Sequence, residues 1–346
     1  FIGSWDRNLY ALDAGTGAKR WSFTTGDDTE IYNQVGIASS AAVAGLATFS
    51  TLSLNRTGTG YTLAATSGAL TGATSAAFNI NPGVATALAI TTAPTTGQSG
   101  VVLAPQPVIR LVDANGNTVP NNSVTITAAL ASGSGTLGGV LTAVTTSGVA
   151  SFSSLALTGT AGTYTLNFSA GGLTAVTRGA ITLSAGAPAA VAFLVQPRTV
   201  TAGALVTPAV QVRVMDGAGN TVTTATNSVT LSLAANPGGS SLGGTLTTAA
   251  VGGVATFSTL TLDRSAAGYA LAAASPGRTG ATSNAFTVNP GAATALVVNA
   301  APTTAQSGVV LAPQPAVRLV DALGNTVPTT GTTVTVALAS GAGTVG

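Results

Sequence analysis

The sequence contains no cysteine and no histidine. Without cysteine there is no disulfide and no thiolate nucleophile, and without histidine the commonest general base and the commonest nitrogen ligand for a metal are missing too. The only lysine is Lys19, which excludes lysine–asparagine cross-links from everything downstream of it. Charge is scarce: 11 basic and 9 acidic side chains among 346 residues leave a net charge of +2. Eight of those charges precede residue 34, so 12 serve the remaining 313 positions. Soluble domains usually carry charge on roughly a quarter to a third of their surface. Here the exterior has to be Thr, Ser, Ala, Gly and Asn, a neutral skin that repels neighbouring molecules weakly and favours assembly or immobilisation. The eight arginines beyond residue 34 are scattered, which excludes a nucleic-acid partner. Mean hydropathy is +0.50, yet the apolar runs are short and none approaches the ~20 residues of a membrane span. Helical spacing of apolar residues is absent as well.

What is present is repetition. RLVDANGNTVP begins at Arg110, RVMDGAGNTVT at Arg213 and RLVDALGNTVP at Arg318, with Asp113, Asp216 and Asp321 spaced 103 and 105 residues apart. That spacing predicts a tandem array of modules, each the size of one small domain and able to bury its own core. Within a module, apolar and polar residues alternate with the period of a half-buried strand. Val210, Val212 and Val214 should face the core while Gln211, Arg213 and Met215 face outward, as should Arg110 and Arg318. Val229, Leu231 and Leu233 repeat the pattern, matching Val124, Ile126 and Ala128 before them and Val334, Val336 and Leu338 after. Glycine (44) and proline (15) punctuate the turns. The fold class is therefore all-β.

The D-x-x-G-N element lies where one strand gives way to the next. Asp113, Asp216 and Asp321 take the first position of a four-residue turn, where a carboxylate accepts backbone N–H bonds, and Gly116, Gly219 and Gly324 take the fourth. A calcium loop is the functional rival, but the closing acidic ligand and further anionic oxygens are missing. One tyrosine per module follows a glycine into a strand: Tyr61, Tyr164 and Tyr269 suit a corner whose hydroxyl ties the incoming loop to the sandwich. Phe49, Phe152 and Phe257 are the largest core candidates, with Phe78 and Phe286 in the closing strands.

The run V-x-D-x-x-G-N-x-V, then A-T-F-S, then G-x-Y-x-L resembles the bacterial immunoglobulin-like repeats of the invasin and intimin group, over residues 36–346. The resemblance implies tandem immunoglobulin-like β-sandwiches in an elongated array: a C-terminal half-module at 36–83, complete modules at 84–186 and 187–291, and an N-terminal half-module at 292–346. It also implies an extracellular or cell-surface bacterial location and work as a stalk, adhesin shaft or fibre segment, with cell-surface or matrix components as partners. It carries over no catalytic residue, cofactor or metal. The two- and three-residue joints at Pro82-Gly83, Gly186-Ala187-Pro188 and Pro290-Gly291 leave little slack, so a semi-rigid rod is expected.

Residues 1–35 differ in kind. Ala11, Asp13, Thr16, Gly17 and Trp21 form A-x-D-x-x-T-G-x-x-x-W, which resembles the tryptophan-docking repeat of quinoprotein-like β-propellers. That resemblance gives Asp13 a turn-closing role and Trp21 a packing role, and covers one blade at most. It leaves open an accessory region of a secreted propeller enzyme. Gly346 matches Gly138, halfway through a module, and residues 36–83 supply the complementary half. Two readings stay open: an excerpt from a longer array, or a filament subunit whose C-terminal half-module is completed head to tail by the next copy.

Overall fold

The computed structural model describes residues 2–3, 8–12, 19–24, 40 and 42–345. Asp13 lies outside the described residues, as does the side chain of Trp21. All regular structure described is β-strand, and among the described residues no helix is long and apolar enough to cross a membrane. The chain divides into two compact units, Phe1–Arg56 and Thr57–Gly346. In the first, Ile2–Gly3, Asn8–Leu12 and Lys19–Thr24 form an antiparallel three-stranded meander.

The second unit contains two complete β-sandwiches. In residues 84–186 one sheet orders Val149–Ser151, Val108–Val112 and Ala87–Thr92, all antiparallel. The facing sheet runs Thr142–Val144, Thr125–Ser132, Gly162–Ser169, Val176–Ser184 and Thr96–Gln98, and its last pair is parallel. Residues 187–291 repeat the plan: Ala190–Val195, Val210–Met215 and Val254–Phe257 face a sheet built on Thr247–Ala249, Ser228–Ala235, Ala266–Ala274, Phe286–Asn289 and Val200–Thr201. The chain thus folds as all-β tandem sandwiches of the immunoglobulin-like kind.

Each complete sandwich has its own core, one drawn from residues between Leu88 and Leu183 and the other from residues between Val191 and Val288. The period-two pattern places Val210, Val212 and Val214 inward with no exposed surface, and Ile126 and Val229 likewise. Phe152 packs on Phe168 at 5.5 Å between ring centroids, and Phe257 is fully buried in the next module. Burying each such side chain contributes roughly 1.5–3 kcal/mol, so no disulfide is required.

The flanking segments depart from the pattern. Val334, Val336 and Leu338 form no strand, and Val336 and Leu338 are 61% and 52% exposed. Their counterpart Ser228–Ala235 pairs with Thr247–Ala249 and Ala266–Ala274, and residues 292–345 supply no equivalent of either partner. Phe49 is 43% exposed, whereas Phe152 and Phe257 are buried. The strand carrying Phe257 is held by Val210–Met215, and among the described residues up to 83 no strand pairs with the segment carrying Phe49 in that way.

Candidate functional site at the module joints

The D-x-x-G-N element turns the strand end back on itself in all three copies. Gly116, Gly219 and Gly324 donate their N–H groups to the carbonyls of Asp113, Asp216 and Asp321 at 3.0, 3.1 and 3.0 Å. Their φ angles of 81°, 84° and 81° lie in the left-handed region, which glycine enters without a Cβ clash. Inside the turn, Asp216 Oδ1 accepts from the Ala218 and Asn220 N–H groups at 2.9 and 2.8 Å. Asp113 and Asp321 repeat this on Asn115 and Asn117, and on Leu323 and Asn325.

The second carboxylate oxygen reaches out of the turn to the linker. Asp113 Oδ2 accepts from Gly83 N–H at 3.0 Å, Asp216 Oδ2 from Gly186 at 2.6 Å and Asp321 Oδ2 from Gly291 at 2.8 Å. Gly186 is buried, and a Cβ there would stand 2.5 Å from the Ser99 carbonyl of the preceding sandwich. Only glycine therefore fits where the linker passes between the two modules.

The asparagine that closes the motif spans the joint. Asn220 Nδ2 donates to Asp216 Oδ2 at 2.8 Å and to the Gly159 carbonyl of the upstream sandwich at 2.9 Å, while its Oδ1 accepts from Ala161 N–H at 2.7 Å. Asn325 does the same with Asp321, the Asp263 carbonyl and the Ser265 N–H, at 2.9, 3.0 and 2.9 Å. In the first copy Asn117 Oδ1 accepts from Thr57 N–H at 3.1 Å, and its Nδ2 donates to Asp113 Oδ2 at 2.9 Å. At the later two joints the amide makes three hydrogen bonds, one to its own turn and two to the neighbour.

The gripped loop is the one entering the tyrosine strand. Tyr164 Oη lies 2.7 Å from the Ser134 carbonyl and 2.8 Å from the Thr160 carbonyl, and Tyr269 Oη donates to the Arg264 carbonyl at 2.8 Å. Both rings are buried, and burial raises the pKa of the Tyr269 phenol. Tyr61 is only half-buried and packs against Phe78 at 6.2 Å.

These bonds fix the charge state of the joint. The Asn117 side-chain amide, reinforced by the N–H groups of Gly83, Asn117 and Asn115, outweighs partial desolvation and holds the Asp113 pKa down at about 2. For Asp216 and Asp321 desolvation is the largest single influence and pushes upward. The summed donors overcome it, leaving Asp216 below the usual carboxylate range and Asp321 at about 2. Asp263, held chiefly by the Ser240 hydroxyl, is lowered too.

Carboxylates so engaged are poor general bases and poor metal ligands, because N–H donors already occupy their lone pairs. Among the described residues no three His, Cys, Asp or Glu side chains gather as a metal group would require. A shallow cavity of about 500 Å³ opens at the joint between the complete sandwiches, lined by Thr96, Gln98, Val102, Ser184, Thr223 and Thr224 among others. It has no ionisable side chain in its wall. The arrangement can hold two modules together.

No protein-family model and no curated protein matches the chain. Solved structures similar to it include the Escherichia coli adhesin FdeC, at 22% identity over 73% of this chain and 79% of that one, with a TM-score of 0.34. InvD of Yersinia pseudotuberculosis is 22% identical over 69% and 72% of the two chains, TM-score 0.32. A β-glycosidase from Bacteroides vulgatus is 14% identical over 58% of this chain, TM-score 0.28, and this chain spans only 24% of its length. Likeness at this level transfers no residue role, ligand or partner.

Reasoning from sequence picked out Asp113, Asp216, Asp321 and their glycines as turn residues, and Tyr61, Tyr164 and Tyr269 as loop clamps. It missed Asn117, Asn220 and Asn325 as the residues that cross the joint. Their signal was present: an asparagine recurs after the turn glycine in every copy, although closing a type I turn makes no demand on that position.

Proposed function

We propose that this chain is a non-enzymatic structural or adhesive segment of a bacterial extracellular or cell-surface protein, a semi-rigid stalk whose sandwiches are held in register by Asp–Asn locks. The observation that carries this reading is the recurrence of one bonding pattern at three joints: aspartate to linker glycine, asparagine to upstream loop. A spacer needs joints that resist bending, and a short linker bonded on both sides supplies that. The charge-poor sequence and the engaged joint carboxylates accord with a role that involves no catalysis. The N-terminal meander supports reading residues 1–35 as a propeller-type repeat appended to the array.

Small-angle X-ray scattering on the full chain tests the stalk. An extended, rigid profile is expected, with Asn117→Ala, Asn220→Ala and Asn325→Ala together giving a more flexible one. A compact wild-type profile would overturn the reading.

Exposure in the flanking segments favours a second reading, self-association. Leu296 is 54% exposed, whereas its counterparts Leu88 and Val191 are 5% and 3% exposed, and Leu52 is 49% exposed where Leu155 and Leu260 are fully buried. Each of these apolar faces gains from cover, and a second copy offers the strands Gly58–Tyr61 and Phe78–Ile80 to lay against residues 292–345. Sedimentation of the full chain should then show concentration-dependent oligomers that vanish when residues 292–346 are deleted. Oligomers surviving the deletion would reject the pairing.

A further inference from the structure

The tyrosine corner and the joint lock share a loop. The Tyr164 hydroxyl shares its one proton between the Ser134 and Thr160 carbonyls, and the residues on either side of Thr160 are the two that Asn220 grips: the Gly159 carbonyl and the Ala161 N–H. In the next module the Tyr269 hydroxyl bonds the Arg264 carbonyl, and Asn325 grips Asp263 and Ser265 on either side. The loop is closely fitted as well, since a Cβ on Gly159 would fall 2.4 Å from Tyr164 Oη and 2.5 Å from the Ser134 carbonyl. Ser99 Oγ completes the fixture, 3.2 Å from both the carbonyl and the N–H of Gly159.

We infer that each tyrosine hydroxyl is a positioning residue for the following module: it sets the orientation of the next sandwich by holding the loop that the next asparagine reads. The inference rests on the lock proposed above and adds its upstream half. A backbone carbonyl and N–H can present themselves to a neighbouring amide at fixed angles only if the peptide between them is fixed. The hydroxyl supplies that constraint from inside the upstream core. The path from sandwich to sandwich therefore runs through the Tyr164 ring, its hydroxyl, residues 159–161, Asn220, Asp216 and Gly186. In both complete modules the carbonyl that the hydroxyl bonds belongs to the residue bracketed by the downstream grip.

Because the chain has no cysteine, spin labels can be placed cleanly at Thr127→Cys and Ser232→Cys, exposed positions in the two complete sandwiches. Pulsed dipolar spectroscopy on the full chain then reads the spread of inter-module distances. Tyr164→Phe, which keeps the buried ring and removes only the hydroxyl, should broaden the distribution and raise hydrogen exchange at the Ala161 amide. Asn220→Ala should broaden it as well, and the double variant should be no broader than Asn220→Ala alone. Tyr269→Phe, which serves the next joint, should leave this distance unchanged, whereas a general loosening would move it. A broad Asn220→Ala distribution beside an unaltered Tyr164→Phe distribution would overturn the tyrosine inference and spare the lock. An unaltered Asn220→Ala distribution would overturn both.

Discussion

Replacing Asp216 by asparagine separates the turn from the joint, because the two carboxylate oxygens have divided duties. Oδ1 accepts from Ala218 and Asn220 N–H inside the turn, at 2.9 and 2.8 Å, while Oδ2 accepts from Gly186 N–H at 2.6 Å and Asn220 Nδ2 at 2.8 Å. An asparagine that keeps its carbonyl in the turn points an NH2 group at two other N–H donors. Hydrogen bonds to a charged group contribute about 1.5–3 kcal/mol each, and a buried donor left unmatched costs about 1–3 kcal/mol. Solvent near the carboxylate recovers part of this, so we expect Asp216→Asn to cost about 3 kcal/mol and Asp216→Ala, which also loses the turn bonds, about 4–5 kcal/mol. In a tandem array the joint component appears as a lost neighbour interaction. Native-state hydrogen exchange on the full chain gives the opening free energy of Val229 and Leu231, with Ile126 and Ala128 of the upstream sandwich as reference. A cost below about 0.5 kcal/mol for Asp216→Asn, within the range of an ordinary surface change, would refute the division of duties. Equal costs for the two variants would show that the turn contributes nothing.

Three further outcomes follow from the same geometry. The pKa values of Asp113 and Asp321 are depressed to about 2 from 3.8, so their contribution is complete above about pH 4 and lost as pH falls through 2; the Gly83 and Gly291 amide resonances should titrate with midpoints near 2, and midpoints near 4 would contradict the bonding described. Phe257→Ala should cost about 3–5 kcal/mol in denaturant unfolding, whereas Phe49→Ala, at an exposed site, should cost under about 0.5 kcal/mol, and equal losses would contradict the burial pattern. Calcium and chelators should leave the thermal transition unmoved because N–H donors already fill the joint carboxylates; a calcium-dependent rise in the transition temperature would show the lone pairs to be accessible.

Much of the fold was legible because strand periodicity and turn chemistry are local. Alternation through Val210, Val212 and Val214 depends on two-residue geometry, and Asp followed three positions later by glycine specifies a turn from within itself. The same reasoning failed at Phe49 and at Val334, Val336 and Leu338, whose side chains obey the pattern perfectly well. Strand formation there depends on partners elsewhere in the chain, and periodicity does not reveal whether a partner exists. The joint was half legible: the aspartates and glycines were visible as a turn, but nothing local reveals that one carboxylate oxygen faces outward to a linker glycine 30 residues upstream.

By itself, then, the sequence determined a cysteine-free, histidine-free all-β chain with repeats, its turn residues and the alternation that builds each core, since all of these follow from composition and near-neighbour chemistry. Only the tertiary structure decided that Asn220 and Asn325 bridge two sandwiches, and that the loops they grip are the ones tied down by Tyr164 and Tyr269. Those contacts join residues about 60 positions apart across a module boundary. Their meaning arises from three-dimensional proximity, which no local pattern encodes.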